Sequence, residues 1–167
     1  MSKALGIPMG QPWFQLKADI KRHRWPVVAF SSNYTLYGDL SARFMSVLGQ
    51  FVAPEDLEQY SIDECFLDFS RYRIDGTDTG REIRRRVLQW TGLPVCVGMG
   101  ATKTLAKLAH NVATKRPEWD GACALTQLGA VPLDALLAGV DVGAVWGLGR
   151  RLPASLLPGG PRPAAHL

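Results

Sequence analysis

Cysteine is scarce in this sequence, and its spacing contains no metal-binding pattern. The three cysteines, Cys65, Cys96 and Cys123, lie far apart and form no Cys-x-x-Cys pair. Their arrangement excludes a zinc knuckle or a disulfide framework and favours reduced thiols in a cytoplasmic protein. The three histidines show no ligand spacing either.

Other signatures are absent as well. We find no apolar run of membrane length, no signal peptide and no internal repeat, so a membrane-spanning or secreted protein is not expected. The spacing Gly-x4-Gly-Lys-Ser/Thr is also missing, which excludes a Walker A phosphate loop.

The bulk composition is that of a folded protein with a basic bias. Hydrophobic residues make up 47% and charged residues 20% of the 167, enough for a packed core in one medium or two small domains. The net charge of +4 and the pI near 9.1 suit a partner rich in phosphate.

Two adjacent carboxylates inside an apolar run are the most informative feature. Asp63 and Glu64 lie in the run Tyr60-Ser61-Ile62-Asp63-Glu64-Cys65-Phe66-Leu67-Asp68. Ionised carboxylates in apolar surroundings are costly unless a cation pairs with them, and Mg²⁺ is the usual partner of adjacent hard oxygens. Both can face one metal only where the backbone bends, at the tip or bulge of a hairpin. The alternative interpretation is an ordinary solvated turn.

The order of elements predicts a mixed α and β fold. It reads strand, helix, hairpin, helix, strand, helix, which is close to a ferredoxin-like palm that lacks its first strand. The capping box Thr79-Gly80-Arg81-Glu82 is predicted to open the second helix, and Thr102 the third. The other predicted elements are a helix near Phe14 to Arg22, a strand over 26–30, a helix from about Leu36 to Gly49, a hairpin within 58–70, a strand over 94–100, and a strand and short helix within 120–139.

Two further segments suit phosphate binding. Lys103 is predicted in the first turn of a helix, where free N–H groups and the helix dipole favour a triphosphate. The segment Val145-Trp146-Gly147-Leu148-Gly149-Arg150-Arg151 has the form of a helix-hairpin-helix turn, in which backbone N–H groups approach a nucleic-acid phosphate. Solvated lysines and a plain glycine-rich turn are the alternatives.

In combination, these segments resemble the Y-family (translesion) DNA polymerases, in particular the UmuC-type catalytic subunits of bacterial DNA polymerase V. The likeness runs from residue 3 to about 152, and the Ser-Ile-Asp-Glu element followed by Thr-Lys-Thr-Leu-Ala-Lys is its most specific part. The resembling residues are Lys3-Ala4-Leu5-Gly6, Met9-Gly10, Phe30-Ser31-Ser32-Asn33-Tyr34, Leu36-Tyr37, Tyr60-Ser61-Ile62-Asp63-Glu64, Gly80-Arg81-Glu82-Ile83-Arg84, Thr102-Lys103-Thr104-Leu105-Ala106-Lys107-Leu108-Ala109 and Val145-Trp146-Gly147-Leu148-Gly149-Arg150-Arg151.

The resemblance implies a polymerase that uses two Mg²⁺ ions, with partial fingers at 1–33, the palm at 34–116 and a partial thumb with a helix-hairpin-helix at 117–167. Asp63 and Glu64 would be catalytic metal ligands, and Lys103 and Lys3 would bind the nucleoside triphosphate. The residues implied to hold template-primer DNA are Gly147, Gly149, Arg150 and Arg151.

The resemblance also implies partners and a role. The family copies damaged DNA in the SOS response, and its UmuC-type members work with a UmuD-type accessory subunit, the RecA filament and the sliding clamp. The family opens with a strand that bears another metal-binding Asp, which has no counterpart here, and its clamp-binding tail is absent from this sequence. We therefore expect an internal fragment that by itself has little or no polymerase activity.

Three alternatives stay open. The first is a catalytically dead DNA-binding remnant that uses the arginines of 81–86 and the turn at Gly147 and Gly149. It predicts salt-dependent duplex binding whose affinity does not change when Asp63 and Glu64 are substituted. The second is a broken gene product without a stable fold. The third, another palm-type enzyme such as a nucleotide cyclase, is disfavoured by the helix-hairpin-helix segment.

Overall fold

The computed structural model describes residues 2–8 and 10–147. The chain divides into a first unit, Met1–Tyr34, and a second unit, Thr35–Leu167. The helices are α1 (Trp13–His23), α2 (Tyr34–Leu48), α3 (Gly76–Thr91), α4 (Lys103–Lys115) and α5 (Ala130–Ala138). The strands are β1 (Leu57–Gln59), β2 (Cys65–Leu67), β3 (Val97–Met99) and β4 (Ala122–Ala124).

The first unit has little apolar burial. Helix α1 has no buried residue, and its last turn carries Lys21, Arg22 and His23. The predicted strand over 26–30 is wrong, because this segment is not a strand and Phe30 is 88% exposed. Its Val27 N–H donates to the Trp25 carbonyl at 2.8 Å, a local turn instead of a ladder to a second strand.

In the second unit, the helices α2 and α3 pack on one face of the strands. Phe44, Val47 and Leu48 of α2 form a buried cluster with Ile83 and Val87 of α3. Partly buried residues from both strand pairs pack against this cluster: Leu57, Cys65, Leu67, Val97 and Met99. The amphipathic pattern that predicted α2 therefore corresponds to its buried side.

Helix α4 packs on the opposite face of the β3–β4 pair. Strands β3 and β4 are parallel, with Gly98 opposite Cys123. A Cβ atom at Gly98 would overlap the backbone of α4 and lie 2.6 Å from the Cα atom of His110, so this helix approaches the strand as only glycine allows. The core cluster on this side contains Leu108, Ala109, Val112, Ala113, Cys123, Leu125, Leu136 and Val140.

The mixed α and β fold is confirmed, and so is the order helix, hairpin, helix, strand, helix. One boundary differs from the prediction. Helix α3 begins at Gly76, where the side chain of Asp75 accepts from the Asp78 N–H at 3.0 Å, and not at Thr79. Asp75 is itself a good capping residue and lies one turn earlier, so Glu82 is free to pair with Arg85 and Arg86 instead.

Candidate metal-binding hairpin

Asp63 and Glu64 lie in the loop between the antiparallel strands β1 and β2, as predicted. The Tyr60 and Ser61 N–H groups both donate to the Glu64 carbonyl at 3.0 Å, which closes the loop on itself. The hydroxyl of Ser41, on α2, donates to the Ile62 carbonyl at 2.5 Å. The loop is therefore held from within and from α2, and its bend carries the two carboxylates.

The two carboxylates have different surroundings. The Asp63 side chain is exposed, and its Oδ1 atom accepts from the Ser61 hydroxyl at 2.8 Å. The Glu64 side chain is partly buried, and its Oε1 atom lies 2.5 Å from the ammonium of Lys107. The positive partner that we expected for this pair is thus, at Glu64, a lysine of the chain itself.

Two lysines of helix α4 lie beside the hairpin. Thr102 caps the helix as predicted, and its hydroxyl accepts from the Leu105 N–H at 3.2 Å. Lys103 then pairs with Glu58 of β1, and Lys107, one turn later, pairs with Glu64. A spacing of four residues places both lysines on one side of the helix.

Three aromatic rings lie together beside the hairpin. Tyr60, Phe66 and Trp146 form one cluster, with the ring centre of Trp146 5.6 Å from that of Tyr60 and 5.8 Å from that of Phe66. The ammonium of Lys103 lies 5.2 Å from the centre of the Phe66 ring, and that of Lys107 lies 5.2 Å from that of Tyr60. Each lysine therefore has both a carboxylate and a ring as neighbours.

Two partly buried groups near the hairpin, His110 and Cys65, have pKa values shifted towards their uncharged forms. Burial and the nearby Lys107 lower the pKa of His110, while Glu64 partly opposes them. Burial raises the pKa of the Cys65 thiol to about 11. The charges next to the loop thus come from its carboxylates and from the lysines of α4.

The donor chemistry fits Mg²⁺ in part. Asp63 and Glu64 are adjacent hard-oxygen donors at a bend, and Mg²⁺ commonly uses one or two carboxylates together with substrate phosphates and water. Among the described residues, no three His, Cys, Asp or Glu side chains come together as a metal-binding group. The hairpin therefore offers two carboxylate donors, fewer than a complete Mg²⁺ shell requires.

The remaining predicted site residues are Lys3, Gly147, Gly149, Arg150 and Arg151. Lys3 lies in the 3₁₀ helix Ser2–Leu5 of the first unit, and its role stays a prediction. Gly147 has a φ of +91°, a turn conformation that favours glycine, and it directly follows Trp146. Gly149, Arg150 and Arg151 lie outside the described residues.

Three residues of this arrangement were missed from the sequence. We did not expect Glu58 as the partner of Lys103, Lys107 as the partner of Glu64, or Trp146 as a neighbour of the hairpin. The four-residue spacing of the two lysines could have indicated a shared face. No local pattern could have placed Trp146 against residues more than 75 positions earlier.

Within residues 2–8 and 10–147, no helix combines the length and the apolar character needed to cross a bilayer.

Comparison with known proteins places the chain in a family. A profile described as "impB/mucB/samB family" matches residues 1–111. Protein SamB of Salmonella typhimurium is 45% identical over 157 residues, which cover 93% of this chain and 36% of that protein. Protein UmuC of Salmonella typhimurium is 46% identical over 158 residues, with the same coverage of 93% and 36%. The chain thus spans little more than a third of the length of these relatives.

Solved structures show the same fold at lower identity. A structure described as a DinB family error-prone DNA polymerase from Sulfolobus solfataricus matches with a TM-score of 0.73 and 21% identity, covering 96% of this chain and 46% of that one. An insertion ternary complex of Dbh DNA polymerase matches with a TM-score of 0.72 and 21% identity, covering 93% and 42%. The family match, the relatives and the shared fold agree with the resemblance derived from the sequence, and the chain belongs to the impB/mucB/samB family of Y-family DNA polymerases.

Proposed function

We propose that this chain is the palm-containing part of an error-prone translesion DNA polymerase, which carries out Mg²⁺-dependent nucleotidyl transfer on damaged template-primer DNA. The observation that carries the proposal is the hairpin bend that presents Asp63 and Glu64 beside the lysines of α4. The family membership and the polymerase fold support it. We further propose fingers at 1–33, palm at 34–116 and thumb at 117–167.

Asp63 and Glu64 would hold the metal. With substrate phosphates completing its shell, a Mg²⁺ held there would lower the pKa of an attacking hydroxyl and neutralise charge on the leaving phosphate. The Ser61 hydroxyl orients the Asp63 carboxylate by donating to it, and the bond from Ser41 to Ile62 fixes the loop that carries both ligands. These contacts preorganise the carboxylates, which is how a protein gains most from charged groups at a reacting centre.

Cationic residues would hold the substrates. We propose that Lys103, at the N-terminal end of α4, and Lys3 contact the triphosphate. The turn at Gly147, with Gly149, Arg150 and Arg151, would hold the backbone of the template-primer. Such phosphate contacts position a duplex without reading its sequence, which suits an enzyme that must accept damaged templates.

The relatives support a proposal for the biological setting. Because the chain is similar to UmuC and SamB over 93% of its length, we propose that the whole protein acts in the SOS response. Its proposed partners are a UmuD-type accessory subunit, the RecA filament and the sliding clamp, and its proposed location is the cytoplasm.

A catalytically dead DNA-binding remnant is the second candidate. The partial donor set at the hairpin favours it, since the described residues supply two carboxylates and no third ligand. The contacts of the arginines on α3 argue against this candidate. Arg85 and Arg86 are paired with Glu82, and Arg84 donates to the Val95 carbonyl at 2.9 Å. Arginines engaged in this way offer less charge to a phosphate backbone.

Primer extension by the full-length product of the gene tests the proposal. We expect Mg²⁺-dependent extension past a template lesion, and a loss of at least about 10³-fold in Asp63→Asn, as for other groups that stabilise charge in a transition state. Asp68→Asn is the matched control, since Asp68 comes directly after β2, at the end of this strand that is far from the loop. Extension by Asp63→Asn at the rate of the wild type would contradict the proposal. Salt-dependent duplex binding without any extension would favour the remnant.

A further inference from the structure

The two lysine–glutamate pairs between α4 and the hairpin have the same chemistry but different exposure. In the pair of Lys103 and Glu58, the side chains are 49% and 56% exposed. In the pair of Lys107 and Glu64, they are 19% and 38% exposed. The second pair lies in a less hydrated place, where the attraction between opposite charges is stronger. It is also the pair that contains one of the proposed metal ligands.

An ammonium and a divalent cation cannot both lie against Glu64 without strong repulsion. At 2.5 Å, the Lys107 ammonium already contacts Oε1, one of the oxygens that a metal would use. The two cations carry like charge and would lie close together on one carboxylate, even on different oxygens. Binding of a metal at Glu64 therefore favours movement of Lys107 away from the carboxylate.

Lys107 has a second neighbour that can retain it after such a move. Its ammonium lies 5.2 Å from the centre of the Tyr60 ring, within the range of a cation–π interaction. The Tyr60 ring is itself supported by Phe66 and Trp146. The lysine can thus leave the carboxylate without losing every favourable contact.

We infer that Lys107 is an internal competitor for the metal: it occupies Glu64 when the cation is absent and is displaced when the cation binds. This inference rests on the proposed metal role of Asp63 and Glu64. Its physical consequence is that Glu64 faces a positive charge in both states, so that Asp63 and Glu64 are never both without a neighbouring cation. The cost is a weaker affinity for the metal, because the lysine must be displaced first.

The test is a titration of this 167-residue chain with Mn²⁺ alone, in which the EPR signal of the free ion reports the dissociation constant. Lys107→Met removes the competing charge and keeps much of the side-chain volume, and Lys107→Gln is a second neutral variant. Lys103→Met is the matched control, since Lys103 lies one turn away and its partner Glu58 is not a proposed ligand. Lys107→Arg keeps the charge. Circular dichroism checks that each variant is folded.

We expect Lys107→Met and Lys107→Gln to bind Mn²⁺ about fivefold or more tightly than the wild type, because a nearby unit charge is removed. Lys103→Met should gain less than about twofold, and Lys107→Arg should stay near the wild type. An unchanged or weaker affinity in both neutral Lys107 variants would overturn the inference. So would an equal gain in Lys103→Met, or an absence of binding in every variant.

Two further variants separate this inference from the proposed function. If Asp63→Asn and Glu64→Gln abolish Mn²⁺ binding while the neutral Lys107 variants gain nothing, the metal site stands and the competitor role fails. If Asp63→Asn and Glu64→Gln leave binding unchanged even in the Lys107→Met background, the ion lies elsewhere. That result overturns the inference together with the proposed metal role.

Discussion

The β3–β4 pair and the β1–β2 hairpin lie in the same unit but are held in place by different forces. Around β3 and β4, small apolar residues are fully buried, with Ala109 and Val87 at 0% exposure and Ala122 at 1%. Around the hairpin tip, exposed or partly exposed side chains are joined by ion pairs and short polar contacts. The comparison indicates that most of the stability comes from the buried residues around β3 and β4, and that the site chemistry lies at the hairpin.

The largest effect is expected where α4 meets β3. Gly98→Ala would drive a Cβ atom into the backbone of α4, 2.6 Å from the Cα atom of His110, and backbone cannot rotate away as a side chain can. We expect a loss of about 3 kcal/mol or more, at the upper end of overpacking costs, measured by denaturant unfolding. Gly38→Ala is the control: open space surrounds Gly38 on α2, so this change should stabilise by up to about 1 kcal/mol. Equal effects at the two glycines would break the comparison.

A cavity in the core is expected to have the second-largest effect. Val87 is fully buried between α2 and α3, so Val87→Ala should cost about 2 kcal/mol through lost transfer energy and a residual cavity. Val28→Ala, at a residue that is 73% exposed, should change the free energy of unfolding by less than about 0.5 kcal/mol. Thermal and denaturant melts of both variants check this. A similar loss at Val28 would argue against the assignment of stability to the buried core.

At the base of the hairpin, we expect an effect that depends on pH. The hydroxyl of Tyr72 and the guanidinium of Arg71 hold the pKa of Asp56 below its ordinary value of 3.8. A carboxyl group whose pKa is lower in the folded state than in the unfolded state stabilises the fold at any pH above its unfolded pKa. This contribution is lost as the pH falls through the pKa of the folded state. Asp56→Asn should therefore melt at a lower temperature than the wild type at pH 7, with a smaller difference between the two at pH 3.

The control for this pH dependence is Asp39→Asn. Asp39 is an exposed residue that pairs with Arg43 on its own helix. Because an exposed ion pair of this kind contributes little, Asp39→Asn should lower the melting temperature at pH 7 by less than Asp56→Asn does. A gap for Asp56→Asn that grows as the pH falls would contradict the account, since it would require a raised pKa in the folded state.

The smallest effect on stability is expected at the loop itself. Asp63 is exposed and contacts Ser61 within the loop, so Asp63→Asn should change the free energy of unfolding by no more than about 0.5 kcal/mol. The same change should abolish the proposed metal binding. A large loss of stability would mean that Asp63 serves the fold, and the division between the two regions would fail.

Local signals explain what could be predicted from the sequence. The apolar spacing of Phe44, Val47 and Leu48 predicted a helix with one buried side, and Thr102 predicted the start of α4. The polar break between two apolar stretches predicted the hairpin and placed Asp63 and Glu64 at its bend. These features depend on residues within one or two turns, which periodicity and capping describe well.

Long-range pairing explains what could not be predicted. The strand expected over 26–30 is apolar enough, but a strand also needs a neighbour for its backbone groups, which a local pattern cannot supply. The partner of Glu64 is 43 residues away in sequence, and Trp146 is farther still from the rings that it contacts. Even the start of α3 was misplaced, because Asp75 and Thr79 both offer capping chemistry and only the packed helix selects between them.

The most direct test of the central claim, that Asp63 and Glu64 bind the divalent cation, is paramagnetic line broadening by Mn²⁺ in the ¹⁵N NMR spectrum of this chain. The account predicts that substoichiometric Mn²⁺ first broadens the amide signals of 61–64, then those near Lys107, and that Asp63→Asn removes the effect. Broadening centred on another acidic segment, such as the one around Asp56, or broadening that persists unchanged in Asp63→Asn, would contradict it.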